Sequence, residues 1–278
     1  MNTVEEKLIR DRIRNGLVNL VDITLEDKDV GPDLYKLMDT FKISKDELTK
    51  EVLAYTLGKG VDEYENKHYQ NLVARLTLYF HNVVKGTYHT QRQEIILGFL
   101  RKIKPKHIID VGYGTPAPYL LTYMSENEEM TVTLADQDPD ANEFAIEIIK
   151  NKNPEFLSRV KFMVYDMDTQ EYPEDADVYL YLDSIEHTKN PTEYFHKMTA
   201  QIPKEAYFIL SMPICSMKGL ENFHYDEWLT DDESRKWIKS GGLEIITEDV
   251  VYPNKKVDFF AELVEGGYHN HLVLARKL

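Results

Sequence analysis

Cysteine and long apolar runs are the features that this 278-residue sequence most clearly lacks. Its single cysteine, Cys215, excludes an internal disulfide and a cysteine-rich zinc site, and we expect it to be a buried small hydrophobe rather than a nucleophile. The apolar runs are well short of a bilayer's thickness, so we expect no membrane association. The N-terminus carries early acids and no uninterrupted apolar stretch, so we expect no secretory signal. Together these features predict a cytoplasmic location.

Positive charge is also scarce. The chain has 33 lysines and arginines against 48 acids, a formal net charge of -15, and no strongly basic stripe. Repulsion from nucleic-acid phosphates makes a general role in DNA or RNA binding unfavourable, so we expect no nucleic-acid partner and a small molecule as the ligand. With 42% hydrophobic residues, the chain is long enough for one sizeable core and an additional segment.

The first hundred residues carry apolar side chains at helical spacing. Gly31 and Pro32 interrupt this pattern before a second helix, and Ser44 with Glu47 three residues later is a capping-box signature for a third. We therefore predict an all-helical N-terminal domain over residues 1–87. Its apolar faces must pack on something, and we expect them to cover an active site, to pair two subunits in a homodimer, or to do both.

Short apolar strands alternate with helical segments from about residue 105 onwards. The predicted strands are HIIDV, TVTLAD, VKFMV, DVYLYLD, YFILSM, LEIITEDVVY and HLVLARKL. This alternation predicts right-handed crossovers and a doubly wound, mainly parallel, seven-stranded sheet within residues 88–278. About 17 residues join the last two strands, with no full crossover helix evident between them, so we expect the last strand to be antiparallel. The predicted fold class is α/β.

The stretch IIDVGYGTPAPYLL places two glycines directly after the first strand. Because glycine has no Cβ, Gly112 and Gly114 let the main chain turn sharply and come within hydrogen-bonding distance of a ligand. Two prolines, Pro116 and Pro118, suit the first turn of the helix that follows. The stretch also satisfies the loose dinucleotide-binding pattern G-x-G-x-x-A, which ends at Ala117, so this motif alone does not choose between cofactors.

Acidic residues accompany the first four predicted strands at corresponding places. Asp110 precedes the glycine turn, Asp136 closes the second strand, and Asp166 follows the third. The segment LDSIEH closes the fourth strand. Together with the terminal strand pair, this ordered set resembles the class I S-adenosylmethionine-dependent methyltransferases over roughly residues 88–278. The chain departs from the family's pattern at Pro116, where the family has a third glycine.

The resemblance implies S-adenosyl-L-methionine as the cofactor, with its methionine part over the glycine turn. It implies that Asp110 meets the cofactor's ammonium group and that Asp136 accepts both ribose hydroxyls. It also implies that Asp166 bonds the adenine amino group, with the Met167 backbone beside it. The implied cofactor-binding residues are Asp110, Gly112, Gly114, Asp136, Gln137, Asp166, Met167 and Asp183.

The end of the fourth strand lies beside the reacting methyl group in the family, so the resemblance implies that LDSIEH faces the reaction centre. His187 is the candidate base because its reference pKa lies nearest neutrality, and Glu186 is the alternative proton acceptor. A base is needed only when the acceptor arrives protonated, since the donor's sulfonium is already activated. The candidate substrate-binding residues are His224 and Tyr225 after the fifth strand and Tyr88 before the first core helix.

No metal site is predicted. His269 and His271 share one face of a strand, but no third ligand is identifiable. We therefore interpret both histidines as structural.

The activity that these residues favour is methyl transfer to an N, O or C nucleophile of a small-molecule acceptor. Two other functions stay open. An NAD-dependent oxidoreductase would share the glycine turn and Asp136, although it would leave LDSIEH and the closing strand pair unexplained. A non-catalytic interaction protein on a methyltransferase scaffold would keep the fold and lose the cofactor, and Pro116 leaves this alternative open.

Overall fold

The computed structural model describes residues 3–57, 71–170, 173–215, 228–262 and 267–278. The α-helices in these ranges are α1 (Thr3–Glu26), α2 (Gly31–Phe41), α3 (Lys45–Leu57), α4 (Leu72–Val83), α5 (Tyr88–Ile103), α6 (Pro118–Glu126), α7 (Pro139–Lys152), α8 (Pro191–Gln201) and α9 (Asp231–Ser240). The strands are β1 (His107–Val111), β2 (Thr131–Asp136), β3 (Val160–Val164), β4 (Val178–Leu182), β5 (Tyr207–Ile214), β6 (Leu243–Val251) and β7 (His269–Lys277). Among the described helices, none combines the length and the apolar character that a membrane span requires.

The seven strands form one sheet in the order β3-β2-β1-β4-β5-β7-β6. Strands β1 to β5 are mutually parallel, whereas β7 runs antiparallel to both β5 and β6. The predicted α/β class and the predicted reversal of the last strand are thus confirmed. The described part of the connection between β6 and β7 contains a short 3-10 helix, Phe259–Glu262, rather than a crossover helix, and antiparallel neighbours need no crossover.

The central strands are apolar along their length because helices cover both faces of a parallel sheet. Strands β1 and β4 are buried almost throughout. Their register sets Asp110 level with Leu134 of β2 and Leu180 of β4. Since the carboxyl ends of parallel strands meet at one edge, Asp110, Asp136 and Asp183 are brought to the same edge of the sheet.

The N-terminal helices share a hydrophobic core with the sheet. Buried side chains such as Ile13 of α1, Leu48 of α3 and Phe80 of α4 belong to one continuous cluster with residues of β1 and β2. Phe41 of α2 stacks on Phe144 of α7, with ring centroids 5.2 Å apart. The helical segment therefore packs on the α/β part rather than standing apart from it.

The local helix signals are largely confirmed. The Ser44 N–H donates to a Glu47 carboxylate oxygen at 2.8 Å, and the Glu47 N–H donates to Ser44 Oγ at 3.2 Å, which is the predicted capping box. Pro118 begins α6, as predicted. Pro116 instead precedes the N-cap residue Ala117 and lies outside the helix, so it was wrong to place it in the first turn.

Candidate functional site

The glycine turn after β1 adopts a backbone conformation that glycine takes at little cost. Gly112 has φ +67° and Gly114 has φ +60°, both in the left-handed region. The Gly112 N–H donates to the Ala135 carbonyl near the end of β2 at 2.7 Å. This bond holds the turn against the carboxyl edge of the sheet, ahead of α6.

Asp110 carries a buried carboxylate beneath this turn. It is 3% exposed, and its Oδ1 has no hydrogen-bond partner among the described residues. Burial raises the pKa of Asp110 to about 7, and the positive charge of Arg92 and the neighbouring Tyr119 hydroxyl oppose this shift. A buried carboxylate oxygen that accepts no hydrogen bond costs free energy, so this position suits a cationic group of a ligand.

A cavity of about 30 Å³ lies beside Asp110. Its lining includes Asp110, Asn82, Arg92, Gln93, Thr115 and Tyr119. The cavity has room for about two water molecules. It combines opposite charges with amide and hydroxyl groups in a small, partly open space.

The carboxylate of Asp136 is held by protein donors on both oxygens. Arg75 of α4, which is 1% exposed, places Nη2 3.2 Å from Asp136 Oδ1 and 2.9 Å from Asp138 Oδ2. Its Nη1 lies 3.4 Å from Asp136 Oδ2 and 3.0 Å from the Gly114 carbonyl oxygen. The N–H groups of Gly114 and Asp138 also donate to Asp136, each at 3.0 Å. Burial disfavours the guanidinium charge, but the two carboxylates outweigh burial and raise the pKa of Arg75.

Protein side chains also cover the two glycines. A Cβ atom at Gly112 would lie 2.7 Å from Cβ of Ser184. A Cβ atom at Gly114 would lie 3.3 Å from Cδ1 of Leu78 and 3.8 Å from Nη1 of Arg75. In this arrangement α4 lies over Gly114, and the segment after β4 lies against Gly112.

A second polar cluster joins α5, β5, β7 and the end of β4. Arg92 forms an ion pair with Asp183, and its Nη1 donates to Ser211 Oγ at 3.1 Å. Asn270 Nδ2 donates to Asp183 Oδ1 at 2.7 Å, and Ser211 Oγ lies 2.6 Å from the same oxygen. These contacts hold Asp183 at φ +50°, a left-handed conformation that is uncommon for a residue with a Cβ.

Tyr88, the predicted substrate-binding residue at the start of α5, stands beside this second cluster. The Arg92 guanidinium carbon lies 5.7 Å from the centre of the Tyr88 ring, and the Tyr268 ring meets it edge-on at 5.5 Å. The Tyr88 N–H donates to Asp258 Oδ2 at 2.9 Å, which ties α5 to the connection between β6 and β7. The side chain is 7% exposed.

The predicted adenine-side residues make other contacts. Asp166 accepts the Asp168 N–H at 2.9 Å and the Thr169 hydroxyl at 3.0 Å, so its carboxylate stabilises the turn after β3. The terminal methyl of Met167 lies 3.9 Å from the Cβ position of Gly112. Gln137 is exposed.

The two predicted proton acceptors follow β4 in the 3-10 helix Ile185–His187. Glu186 is 0% exposed and His187 is half-buried. The His187 N–H donates to the Ser184 carbonyl at 3.2 Å. His224 and Tyr225 lie outside the described residues.

Two residues beyond β5 are buried. Trp228 meets Trp237 edge-on, with ring centroids 5.2 Å apart, and belongs to the core. Cys215 is buried, as predicted.

Both histidines of β7 have structural partners. His271 Nδ1 lies 2.8 Å from Ser234 Oγ, and its Nε2 lies 3.1 Å from Glu248. His269 Nε2 lies 2.7 Å from Asp231. These contacts join β7 to α9 and β6.

Arg75 and Arg92 are the site residues that the sequence analysis missed. Arg75 gives a usable signal, because it is a charged residue on the face of α4 that buries Leu76 and Tyr79. A charge on a buried face requires a partner, although the sequence does not name one. Arg92 lies in TYHTQRQ beside Tyr88 and gives no comparable signal.

The sequence matches no protein-family model and no curated protein, whereas solved structures do match its fold. An O-methyltransferase family protein from Burkholderia thailandensis is 13% identical, with a TM-score of 0.57, over 83% of this chain and 71% of that one. The S-adenosylmethionine-dependent methyltransferase SibL in its apo form is 14% identical, with a TM-score of 0.51, over 88% and 73%. The 4+2 cyclase SpnF is 12% identical, with a TM-score of 0.54, over 69% and 83%.

The chain therefore has the fold of the class I S-adenosylmethionine-dependent methyltransferases. At these identities the likeness establishes the fold, and the similarity to the cyclase SpnF illustrates that one fold can carry different activities. The activity has to be argued from the site itself.

Proposed function

We propose that this protein is a methyltransferase that uses S-adenosyl-L-methionine to methylate an N, O or C nucleophile of a small-molecule acceptor. The observation that carries the proposal is the buried Asp110 carboxylate, which shares a cavity with Arg92 and Tyr119 beneath a turn with two left-handed glycines. A buried anion beside a glycine turn is what the ammonium end of the methyl donor requires. The strand order with a reversed β7 supports this function over the oxidoreductase alternative.

The methionine end of the donor fits the residues present. Asp110 would hold the ammonium group, and Arg92 in the same cavity lining supplies positive charge for the carboxylate. The bound donor would supply an already activated methyl group, so the protein's main task would be to align the acceptor with it.

The adenosine end does not fit this closed arrangement. Both oxygens of Asp136 already accept protein hydrogen bonds, and Arg75 and Leu78 lie over Gly114. The cavity beside Asp110 does not extend to this end, since neither Asp136 nor Arg75 belongs to its lining. Binding of the methyl donor would therefore require α4 to move away from Gly114 and Asp136. This same observation favours the second candidate, a non-catalytic interaction protein on a methyltransferase scaffold, for which the closed state would be permanent.

The acceptor side is assigned by position. Glu186 and His187 follow β4 next to the Asp183 cluster and would receive the proton when the acceptor arrives protonated. Tyr88 would line the acceptor side, together with His224 and Tyr225. The N-terminal helical domain of residues 1–87 would cover this side and could also pair two subunits. The single cysteine and the acidic charge fit a cytoplasmic enzyme without a nucleic-acid partner.

Asp110 makes the donor affinity dependent on pH. The ammonium group binds the ionised carboxylate, and the pKa of Asp110 is raised to about 7 by burial. As the pH falls below 7, binding must also remove a proton from Asp110, so we expect the Kd of S-adenosylhomocysteine to rise about tenfold per pH unit between pH 6.5 and 5.5. Isothermal titration calorimetry across this range measures the slope.

Asp110→Asn should bind about 10- to 100-fold more weakly at pH 7.5, because a charge-assisted hydrogen bond is lost, and its Kd should be flat across the range. Asp177→Asn is the matched control, since Asp177 bonds the backbone of Lys106 and His107 at the opposite edge of the sheet. A pH slope that persists in Asp110→Asn would remove Asp110 from the donor site.

The transfer reaction is tested by incubating the protein with methyl-labelled donor and a metabolite extract. We expect label to enter a small molecule, and to do so more slowly with His187→Ala if that residue is the base. Absence of both donor binding and label transfer would favour the non-catalytic candidate.

A further inference from the structure

We infer that helix α4 is a lid over the donor site, and that Arg75 holds it shut by taking the hydrogen bonds that the donor's ribose would make. This inference rests on the proposed function and adds a regulatory step to it: the donor binds only by exchanging with the Arg75 guanidinium.

Three residues on one face of α4 contact the glycine turn. Arg75 bonds the Gly114 carbonyl at 3.0 Å, and Leu78 covers Gly114. Asn82 Nδ2 donates to Thr115 Oγ1 at 3.1 Å. Residues 75, 78 and 82 are spaced by three and four, so they lie on one face of the helix. The face that covers the glycine turn is therefore continuous from the ribose end to the methionine end.

The Arg75 guanidinium occupies the hydrogen-bond acceptors that a ribose would use. A ribose diol donates two hydrogen bonds to a carboxylate, and Arg75 donates to both oxygens of Asp136 in the same way. The backbone N–H groups of Gly114 and Asp138 contact Asp136 independently of Arg75. Asp136 would thus keep a fixed position when the guanidinium leaves.

Asp138 strengthens the closed position of α4 by pairing with Arg75, and it does not belong to the predicted donor site. Its Oδ2 accepts from Arg75 at 2.9 Å, while its Oδ1 accepts the Asp140 N–H at 3.0 Å and caps α7. The two functions use different oxygens. Asp138→Asn can keep the cap through its amide oxygen, while its amide N–H₂ group faces the guanidinium. Two hydrogen-bond donors then face each other, which weakens the hold of Arg75 on α4.

We expect Asp138→Asn to bind S-adenosylhomocysteine with a Kd about tenfold lower than the wild-type protein, because the closed state loses a buried charge pair and the open state does not. Asp140→Asn is the matched control, since it removes a charge from the same first turn of α7 without reaching Arg75, and its Kd should equal the wild-type value. Titration calorimetry at pH 7.5 measures all three proteins.

Hydrogen–deuterium exchange on the wild-type protein tests the same lid without any substitution. Saturating S-adenosylhomocysteine should raise exchange in α4, at residues 72–83, and lower it at residues 110–117. The lid requires both this result and the tighter binding of Asp138→Asn. If the ligand binds while α4 exchanges no faster, or Asp138→Asn binds no tighter, the lid is wrong and the proposed function stands. If neither protein binds the ligand, both are wrong.

Discussion

Replacing Arg75 with methionine should lower the free energy of unfolding by about 3–5 kcal/mol, the usual cost of leaving a buried charge without its partner. Arg75, Asp136 and Asp138 have side chains that are 1%, 7% and 6% exposed, so solvent does little to replace the lost cation. Urea denaturation at pH 7.5 measures the loss.

Arg159→Met is the control for the loss of an arginine as such. Arg159 donates to the backbone carbonyls of Met124, Asn127 and Met130 and neutralises no carboxylate in these contacts, so its replacement leaves no buried carboxylate without a counter-ion. Adding Asp136→Asn and Asp138→Asn to Arg75→Met should recover part of the stability. A loss below about 1 kcal/mol at pH 7.5 would mean that the ion pair is solvated and does not hold α4 closed.

Gly112→Ala should cost about 2–5 kcal/mol of unfolding free energy, from two separate causes. Alanine is strained at φ +67°, and its Cβ would lie 2.7 Å from Cβ of Ser184. Both atoms of this contact are Cβ atoms, which move only with the main chain, so the backbone itself would have to shift. Denaturant unfolding monitored by circular dichroism measures this loss.

Gly98→Ala provides the matched control. Gly98 lies in α5 with no atom within 4 Å of its Cβ position, so alanine there should raise stability by about 0.5–1 kcal/mol. Combining Gly112→Ala with Ser184→Gly should restore the part of the loss that is due to overlap and leave the part that is due to φ. If Gly112→Ala is as stable as the wild-type protein, the turn does not have the geometry described above.

The sequence predicts the sheet well because each strand carries its own local signal. The run HIIDV is buried on both faces as β1, and its apolar content alone marks it as an inner strand. The reversal of β7 follows from the shortness of the connection after β6, which is also a local property. The capping box at Ser44 and the left-handed glycines at 112 and 114 are local in the same sense.

The closed donor site could not be predicted in this way, because its contacts join distant parts of the chain. Arg75 meets Asp136 and Asp138 across 61 and 63 residues, and only the packing of α4 against the sheet edge brings them together. The resemblance assigned Asp136 to a ribose, and in the structure Arg75 takes both of its oxygens. Arg92 and Asp183 are likewise 91 residues apart. A family motif names the residues of a site, whereas the conformational state of that site depends on tertiary contacts.

The central claim is that the site beneath the glycine turn binds S-adenosyl-L-methionine through Asp110. Calorimetric titration of the wild-type protein and Asp110→Asn with this donor at pH 7.5, with NAD titrated in parallel, tests it most directly. The expected result is saturable one-to-one binding of S-adenosyl-L-methionine to the wild-type protein, a strong loss of affinity in Asp110→Asn, and no binding of NAD. Saturable binding of NAD in place of S-adenosyl-L-methionine, or equal donor affinity in the two proteins, would contradict it.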